Sequence, residues 1–487
     1  MYHLEQAFSD ADRAVLLGQA LPAGYFSDDN AGRVLDHLFE TGTQRIFSAL
    51  SVAAMDRFAL TAKHVHFDTT SVNVFDYANT NDAQATANIT YGYSKDKRPD
   101  LKHFISMLCV EGGIPIVGKE DGHASTKKLI TGCWRRSPAT LREHGVAEEA
   151  FIYVADSAMV TEENLARAGR FITRLPATYT ACEHAILKAI DADHWTQVGC
   201  IAATPPTKRR PAASYRVSEQ SVELYGTSYR AIVVHSSAHD QRRQKRLERE
   251  LAASLTAITT QAKACERKTL LLADAQAAAQ EAMAQPSAYH RLQVSVLERP
   301  RYARGRPKRD GVRTPIAMDY VLNAEILEDE PAIERRRKMA GCFVLLSNVA
   351  RDGADGEQIL RTYKEQYAIE RNFSLKDDQI VNALFLKRPE RIEALGLILL
   401  ISLLIWRLME QVMRSTLKAD ETTVPGWDNK PTCRPTAYLL TWTFRGVMVL
   451  CMGQTRRLHQ PLSPTQQAFL RALKIPEERF IHPAPCC

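Results

Sequence analysis

Between Gln241 and Gln285 the chain holds neither glycine nor proline, and Ala, Leu, Glu, Gln and Arg dominate it. With both breakers of regular structure absent, this run predicts one long helix or a helical hairpin, with Asp240 as its N-cap. The flanking sequence has a different texture. SYRVSE and YRAIVVHSS precede it as strands, and GCFVLLSN at 341–348 follows as another. From Val65 onward, VHFDTTSVNVF, ANITYGYS, HFISMLCV, GIPIVGK, FIYVADSAM and RFITRLP also read as strands, separated by helical stretches near Pro138–His144 and Asn164–Gly169. Strands alternating with helical segments point to an α/β core, and the helical block reads as an insertion that interrupts it.

The rest of the chain fits around that frame. Residues 1–60 read as helical, with Asp29-Asn30 ahead of the periodic run GRVLDHLFETGTQRIFSALSVAAM. Residues 357–377, 390–414 and LSPTQQAFLRAL in the tail are also expected to be helices. The expected divisions are a helical N-terminal region at 1–60, the first part of the core at 61–180 and a basic insertion at 181–335. The second part of the core at 336–415 and a helical C-terminal region at 416–487 follow. The longest apolar stretch, Ala394 to Trp406, is 13 residues, which predicts a buried helix rather than a membrane span. The first residues, MYHLEQAFSDADR, carry acids early and lack an apolar core, so no secretory signal is expected. Ten cysteines without a Cys-x-x-Cys pair suggest neither a zinc site nor a disulfide framework, and a reduced, cytoplasmic setting follows.

Charge is unevenly distributed. The chain carries 63 Lys and Arg against 56 Asp and Glu, a balance of +7. Pro205 to Arg313 alone holds 21 basic and 10 acidic residues, so the rest of the chain is net acidic. Such a segment attracts polyanions. RPRYARGRPKR at 299–309, broken by Gly and Pro, reads as an extended strip suited to a nucleic-acid groove, with Arg304, Arg306 and Lys308 as candidate contacts. The burst Arg242-Arg243 and Lys245-Arg246, interleaved with Glu248 and Glu250, reads instead as a solvated helix face.

Three acids stand out as catalytic candidates. Asp68 lies in VHFDTT, where strand alternation puts His66, Asp68 and Thr70 on one face. Asp156 ends the apolar run IYVAD, where strand C-termini present site residues. Glu370 lies in RTYKEQYAIERNF, on a helical face shared with Tyr363, Gln366 and Phe373. Each has a structural reading too: a turn cap for Asp68, an N-cap for Asp156 and a surface ion pair with Lys364 or Arg371 for Glu370. Three acids on two strands and a helix can hold two Mg²⁺ ions through hard oxygens, and two such ions serve in-line attack on phosphorus.

In this setting the sequence resembles the DDE transposases of bacterial insertion sequences, in the subgroup with a Tyr-Arg-Glu-Lys signature on the helix bearing the last acid. The matching stretches occur in order: HFDTTS, YGYSKDKRPDLKHF, GGIPI, YVADSAM, RFITRLP, AIVVHSS, RGRPK, GCFVLLSN and YKEQYAIERNFSLKDD. The resemblance implies an RNase H-like catalytic core interrupted by a large α+β insertion, with helical N- and C-terminal regions. The 213 residues between Asp156 and Glu370 would hold that insertion. It further implies that Asp68, Asp156 and Glu370 bind Mg²⁺, or Mn²⁺ in its place. Cleavage and strand transfer would act on the terminal inverted repeats and target DNA, with a homodimer holding two ends. Tyr363 matches the signature tyrosine as a nucleic-acid contact. Gln366 stands at the arginine position, where it supplies a hydrogen bond without charge. Lys376 is the candidate lysine, six residues after Glu370 where the family step is seven. EDGHAS replaces the usual Gly-Asn pair after GGIPI.

Two alternatives share these residues: a repurposed transposase that binds DNA without cutting it, and a nuclease or resolvase that cuts but never joins. Among lesser candidates, His235 and His239 are four apart but bracket a Ser-Ser-Ala turn, so a surface turn is expected rather than a metal face. Cys486-Cys487 are expected to be loose thiols, and Trp406 to pack in the core.

Overall fold

The computed structural model describes residues 4–9, 11–19, 21–60, 63–74, 102–111, 113–121, 151–202, 211–266, 269–285, 287–302, 304–305, 314–365, 388–453 and 455–482. The expected ANITYGYS strand, the helix near Pro138–His144, Gln366, Glu370, Lys376, Arg306, Lys308 and Cys486-Cys487 lie outside them. The protein is mixed α/β with a mixed sheet. Its contacts divide it into two units, Met1–Thr173 with Thr362–Cys487, and Arg174–Arg361.

The first unit opens with helices α1 (Leu4–Ser9), α2 (Arg13–Leu17), α3 (Asp28–Thr41) and α4 (Thr43–Arg57). The expected single periodic run is two helices because Gly42 sits at φ 94° between them, a conformation that costs a glycine little. Ser27, rather than Asp29-Asn30, caps α3, its hydroxyl accepting from the Asn30 N–H at 3.4 Å. Asp28 and Asp29 then fall in the first turn, where negative charge meets the positive helix end.

Strands β1 (His64–Val74), β2 (Lys102–Glu111), β3 (Ile114–Asp121), β4 (Ile152–Ala155) and β5 (Phe171–Arg174) follow, with α5 (Glu162–Arg167) between the last two. Their order across the sheet is β3-β2-β1-β4-β5. β1 runs antiparallel to β2 and parallel to β4, and β4 parallel to β5. The near-continuous apolar sequence of β4 suits a strand covered on both faces, and Ile152 to Ala155 are all buried.

The second unit begins with α6 (Thr180–Ala192), β6 (Thr196–Cys200), β7 (Ser214–Leu224) and β8 (Thr227–Ser236). The two-residue turn Tyr225-Gly226 has both φ angles positive, 53° and 75°, as a tight hairpin with right-handed twist requires. The expected long helical stretch is a hairpin: α7 (Ser237–Glu266), β9 (Thr269–Leu270) and α8 (Leu272–Ala284). It starts before Asp240, because the Ser236 hydroxyl accepts from the His239 N–H at 3.4 Å and Asp240 falls inside the first turn. α7 and α8 contribute Ile258, Ala262, Ala275 and Ala279 to a core shared with Leu292, Val294 and Leu322. Those last three come from the hairpin β10 (His290–Arg301) and β11 (Ala317–Glu328).

The unit closes with α9 (Glu330–Met339), β12 (Cys342–Ser347) and the start of α10 (Gly356–Lys364). β12 pairs antiparallel with β8, and Ala231 to Val234 and Val344 to Leu346 are fully buried. Arg230 ties down the loop after β12: it donates to the Val349 and Ala354 carbonyls at 2.6 and 2.9 Å and to Glu219 at 3.0 Å.

The chain then returns to the first unit through the end of α10. α11 (Pro389–Ala419) is much longer than its 13-residue apolar stretch, and among the described residues it alone is long and apolar enough to cross a membrane. Its buried side is used in packing. Leu397 and Leu404 join Phe47, Ala54 and Ile114 in one cluster. Met413 and Leu417 join Leu439 and Leu440 of α12 (Ala437–Thr443) and Phe469 of α13 (Pro464–Leu473) in another. Trp406 is only half-buried. Charged groups inside this unit are paired: Asp36 accepts from both ends of the Arg391 guanidinium at 2.8 Å. Glu410, 3% exposed, receives Arg407 and Arg414 at 2.7 Å and the Ala437 N–H at 3.1 Å.

Candidate active site

The site is built on the two central strands of the first unit. Along their parallel pairing, His66 faces Val154 and Phe67 faces Ala155. Asp68 and Asp156 are the next residue on each chain, directly beyond that last pair. Adjacent strands lie about 4.8 Å apart, which brings the two positions within reach of a common ligand. Asp68 is itself paired with Leu108 of β2, and its strand continues to Val74, so it is not a turn cap with Thr69 and Thr70.

Asp156 is half-buried and caps the short turn that follows, its Oδ1 accepting from the Ala158 N–H at 3.0 Å. The structural reading of this residue is therefore realised. A cap fixes the rotamer of the carboxylate at a strand end, which is also what a ligand-binding acid needs. Its carbonyl accepts from the Thr173 hydroxyl at 2.7 Å, and Thr173 is fully buried. β5 thus braces the turn from behind.

Alternation along β1 puts His64 and His66 on one face. The end of α10 reaches this face: Glu365 Oε2 lies 3.8 Å from His64 Nδ1 and 4.0 Å from His66 Nε2. His66 is 2% exposed, and burial, with the neighbouring His64, lowers its pKa to about 4. It is uncharged at neutral pH, so its contact with Glu365 is dipolar rather than an ion pair. His64 is also lowered, chiefly by burial and then by Lys63 and Arg170, and Glu365 is raised by partial loss of water. The alternation His64-x-His66-x-Asp68 is visible in the sequence, but only the fold reveals Glu365 as its neighbour.

Glu370 follows Glu365 by five residues, a reach of at most about 17 Å. Tyr363 is half-buried in the last turn of α10, three residues past the buried Leu360. Among the described residues no group of three His, Cys, Asp or Glu is arranged for a metal ion; the side chain of Asp68 and all of Glu370 lie outside them. The donor chemistry still fits a hard divalent cation, since carboxylate oxygens from adjacent strands suit Mg²⁺ or Mn²⁺.

The other described candidates fall in the second unit. Arg304 is exposed in the segment joining β10 to β11, beyond the Arg301↔Ala317 pair that ends the ladder. His235 and His239 do not form a metal pair. His235 packs edge-on against Trp195 and His239 against Phe343, with ring centroids 6.4 and 6.1 Å apart. The chain matches no protein-family model and no curated protein.

Proposed function

We propose that this protein is a DDE-type transposase of an insertion sequence, acting in the cytoplasm of a bacterium and on the nucleoid when bound to DNA. The observation that supports the reading is the parallel pairing of β1 and β4, whose last pair, Phe67↔Ala155, directly precedes Asp68 and Asp156. The strand order β3-β2-β1-β4-β5, with three antiparallel strands followed by two parallel ones, supports an RNase H-like core. Arg174–Arg361 supports an insertion between the second acid and the last.

In this reading Asp68, Asp156 and Glu370 hold the divalent ions, which supply charge stabilisation and a lowered water pKa when bound. The Ala158 N–H holds the Asp156 carboxylate in one orientation. Tyr363 and Gln366 contact the phosphate or sugar of the substrate strand, and Lys376 contacts phosphate. Arg304, Arg306 and Lys308 neutralise backbone phosphates outside the site. No side-chain nucleophile is required, so the protein's work is positioning and electrostatics. A homodimer would hold the two inverted repeats and present them to target DNA.

The test is cleavage and joining of DNA carrying the element's ends, with Mg²⁺ present. Asp68→Ala, Asp156→Ala and Glu370→Ala are each expected to abolish cutting while retaining DNA binding. A variant that still cuts removes its residue from the site. Gln366 at the signature arginine position favours a second reading, a transposase descendant that binds without cutting. Metal-independent binding with no cleavage by the wild type is its signature, whereas cutting without joining marks a nuclease or resolvase.

A further inference from the structure

The second unit carries a basic cluster that its sequence does not announce. From sequence, the burst Arg242-Arg243 and Lys245-Arg246 is a solvated helix face. In the fold, α9 lies beside it, and the Gln244 side chain donates to the Arg337 carbonyl at 3.1 Å. Glu250 marks the centre of the cluster. Arg246 Nε reaches one of its oxygens at 2.6 Å and the Tyr289 hydroxyl the other at 3.2 Å. Arg336 of α9 lies near enough for its charge to act on both Tyr289 and Glu250. Arg243, half-buried one turn before Arg246, feels the charges of Arg246, Arg336 and Arg174. Arg174 stacks over the Phe343 ring, 5.2 Å from its centroid, which fixes its guanidinium in place.

We infer that Arg174, Arg243, Arg246 and Arg336 form a second backbone-phosphate site for duplex DNA, separate from the β10–β11 strip. The inference rests on the DNA-binding reading above and deepens it. Arg246 binds Glu250 directly, and Arg243 and Arg336 lie within range of its charge. Burial first, and the three neighbouring arginines next, pull the Arg243 pKa below its ordinary range, with Glu250 opposing. A cluster under such repulsion gains from a polyanion, and guanidinium forks match phosphate geometry. The surroundings extend the match. Arg242 and Arg249 continue the charge along α7 over about 10 Å, roughly three base-pair steps of duplex. The nearby acids do not cancel it: Glu334 pairs with Lys338 and Glu183 with Arg335, and Glu248 is exposed.

The experiment is fluorescence anisotropy of the full chain with a labelled duplex of arbitrary sequence, titrated from about 50 to 200 mM salt. R243Q/R336Q is expected to reduce the slope of log affinity against log salt by about 2, while R243K/R336K keeps it. E250Q removes a competing carboxylate and is expected to tighten binding at low salt. Thermal melting verifies that each variant folds; should R243Q/R336Q melt early, E250Q decides alone. A wild-type slope in R243Q/R336Q, or unchanged affinity in E250Q, overturns the phosphate site while leaving the transposase reading standing. Wild-type protein that fails to bind any duplex sinks that reading itself. Equal competition by poly-glutamate would overturn the inference in favour of an acidic protein partner.

Discussion

In the proposed reading Asp156 carries a structural role and a chemical one together. It caps the turn by its hydrogen bond to Ala158 and would hold the metal with Asp68. The sequence marks it through the apolar run that it ends. Glu365 left no such mark, because its meeting with His64 is produced by two elements far apart in the chain. Other residues make sharper predictions. Cys182 and Cys342 are buried, and burial pushes their thiols up to about 11 and 12, so almost no thiolate forms at neutral pH. Site-resolved mass spectrometry after brief alkylation is expected to find Cys200, Cys433 and Cys451, which are exposed, labelled first. Cys182 and Cys342 should react only in denaturant, and their rapid labelling in the native protein would contradict the packing. Gly341 is a second case. A Cβ there would run into the His235 ring and Asp240, so Gly341→Ala is expected to destabilise the β8–β12 junction by about 1–3 kcal/mol in chemical denaturation.

At the scale of elements, strands were legible where both faces are buried or where polar and apolar residues alternate. Helix boundaries were less so. The 241–285 stretch carries helix-forming residues throughout, and its break at Thr269–Leu270 arises because that segment pairs with Tyr320 and Val321 of β11, a tertiary choice that overrides propensity. α11, expected over 390–414, runs to Ala419, and Arg407, Glu410 and Arg414 satisfy one another on its polar turns. Glu410→Ala would leave two guanidiniums without their carboxylate, one of them largely buried. A loss of about 3–5 kcal/mol is expected from urea unfolding, and a change below about 1 kcal/mol would show the network to be solvated. The α3–α11 contact should report on acid. The Arg391 hydrogen bond, aided by the charges of Arg388 and Arg391, holds the Asp36 carboxyl below its ordinary value. A depressed folded pKa contributes stability that is present above the unfolded value and lost as pH falls through the folded one. Melting temperature is therefore expected to fall more steeply with acid below the ordinary aspartate pKa in the wild type than in Asp36→Asn. Parallel curves would show that the pair contributes nothing.

For the whole molecule, the two acids on β1 and β4 belong to one contact unit, and the basic strip and the arginine cluster to the other. Under the proposed function, one unit would perform the chemistry and the other would grip the DNA backbone. Mixed α/β character was legible from alternating segments, and the excess of positive charge from counting. The arginine cluster was not, because Arg174, Arg243 and Arg336 come from three separate stretches that only packing unites. Everything proposed about function depends on Asp68 and Asp156 sharing a ligand. The direct measurement is Mn²⁺ binding followed by electron paramagnetic resonance in wild type, D68N, D156N and the double variant. If the acids share the ion, each single variant loses most of the affinity and the double variant loses little more, since residues acting as a unit are not additive. Wild-type affinity in either single variant, or losses that simply sum, would contradict a shared site.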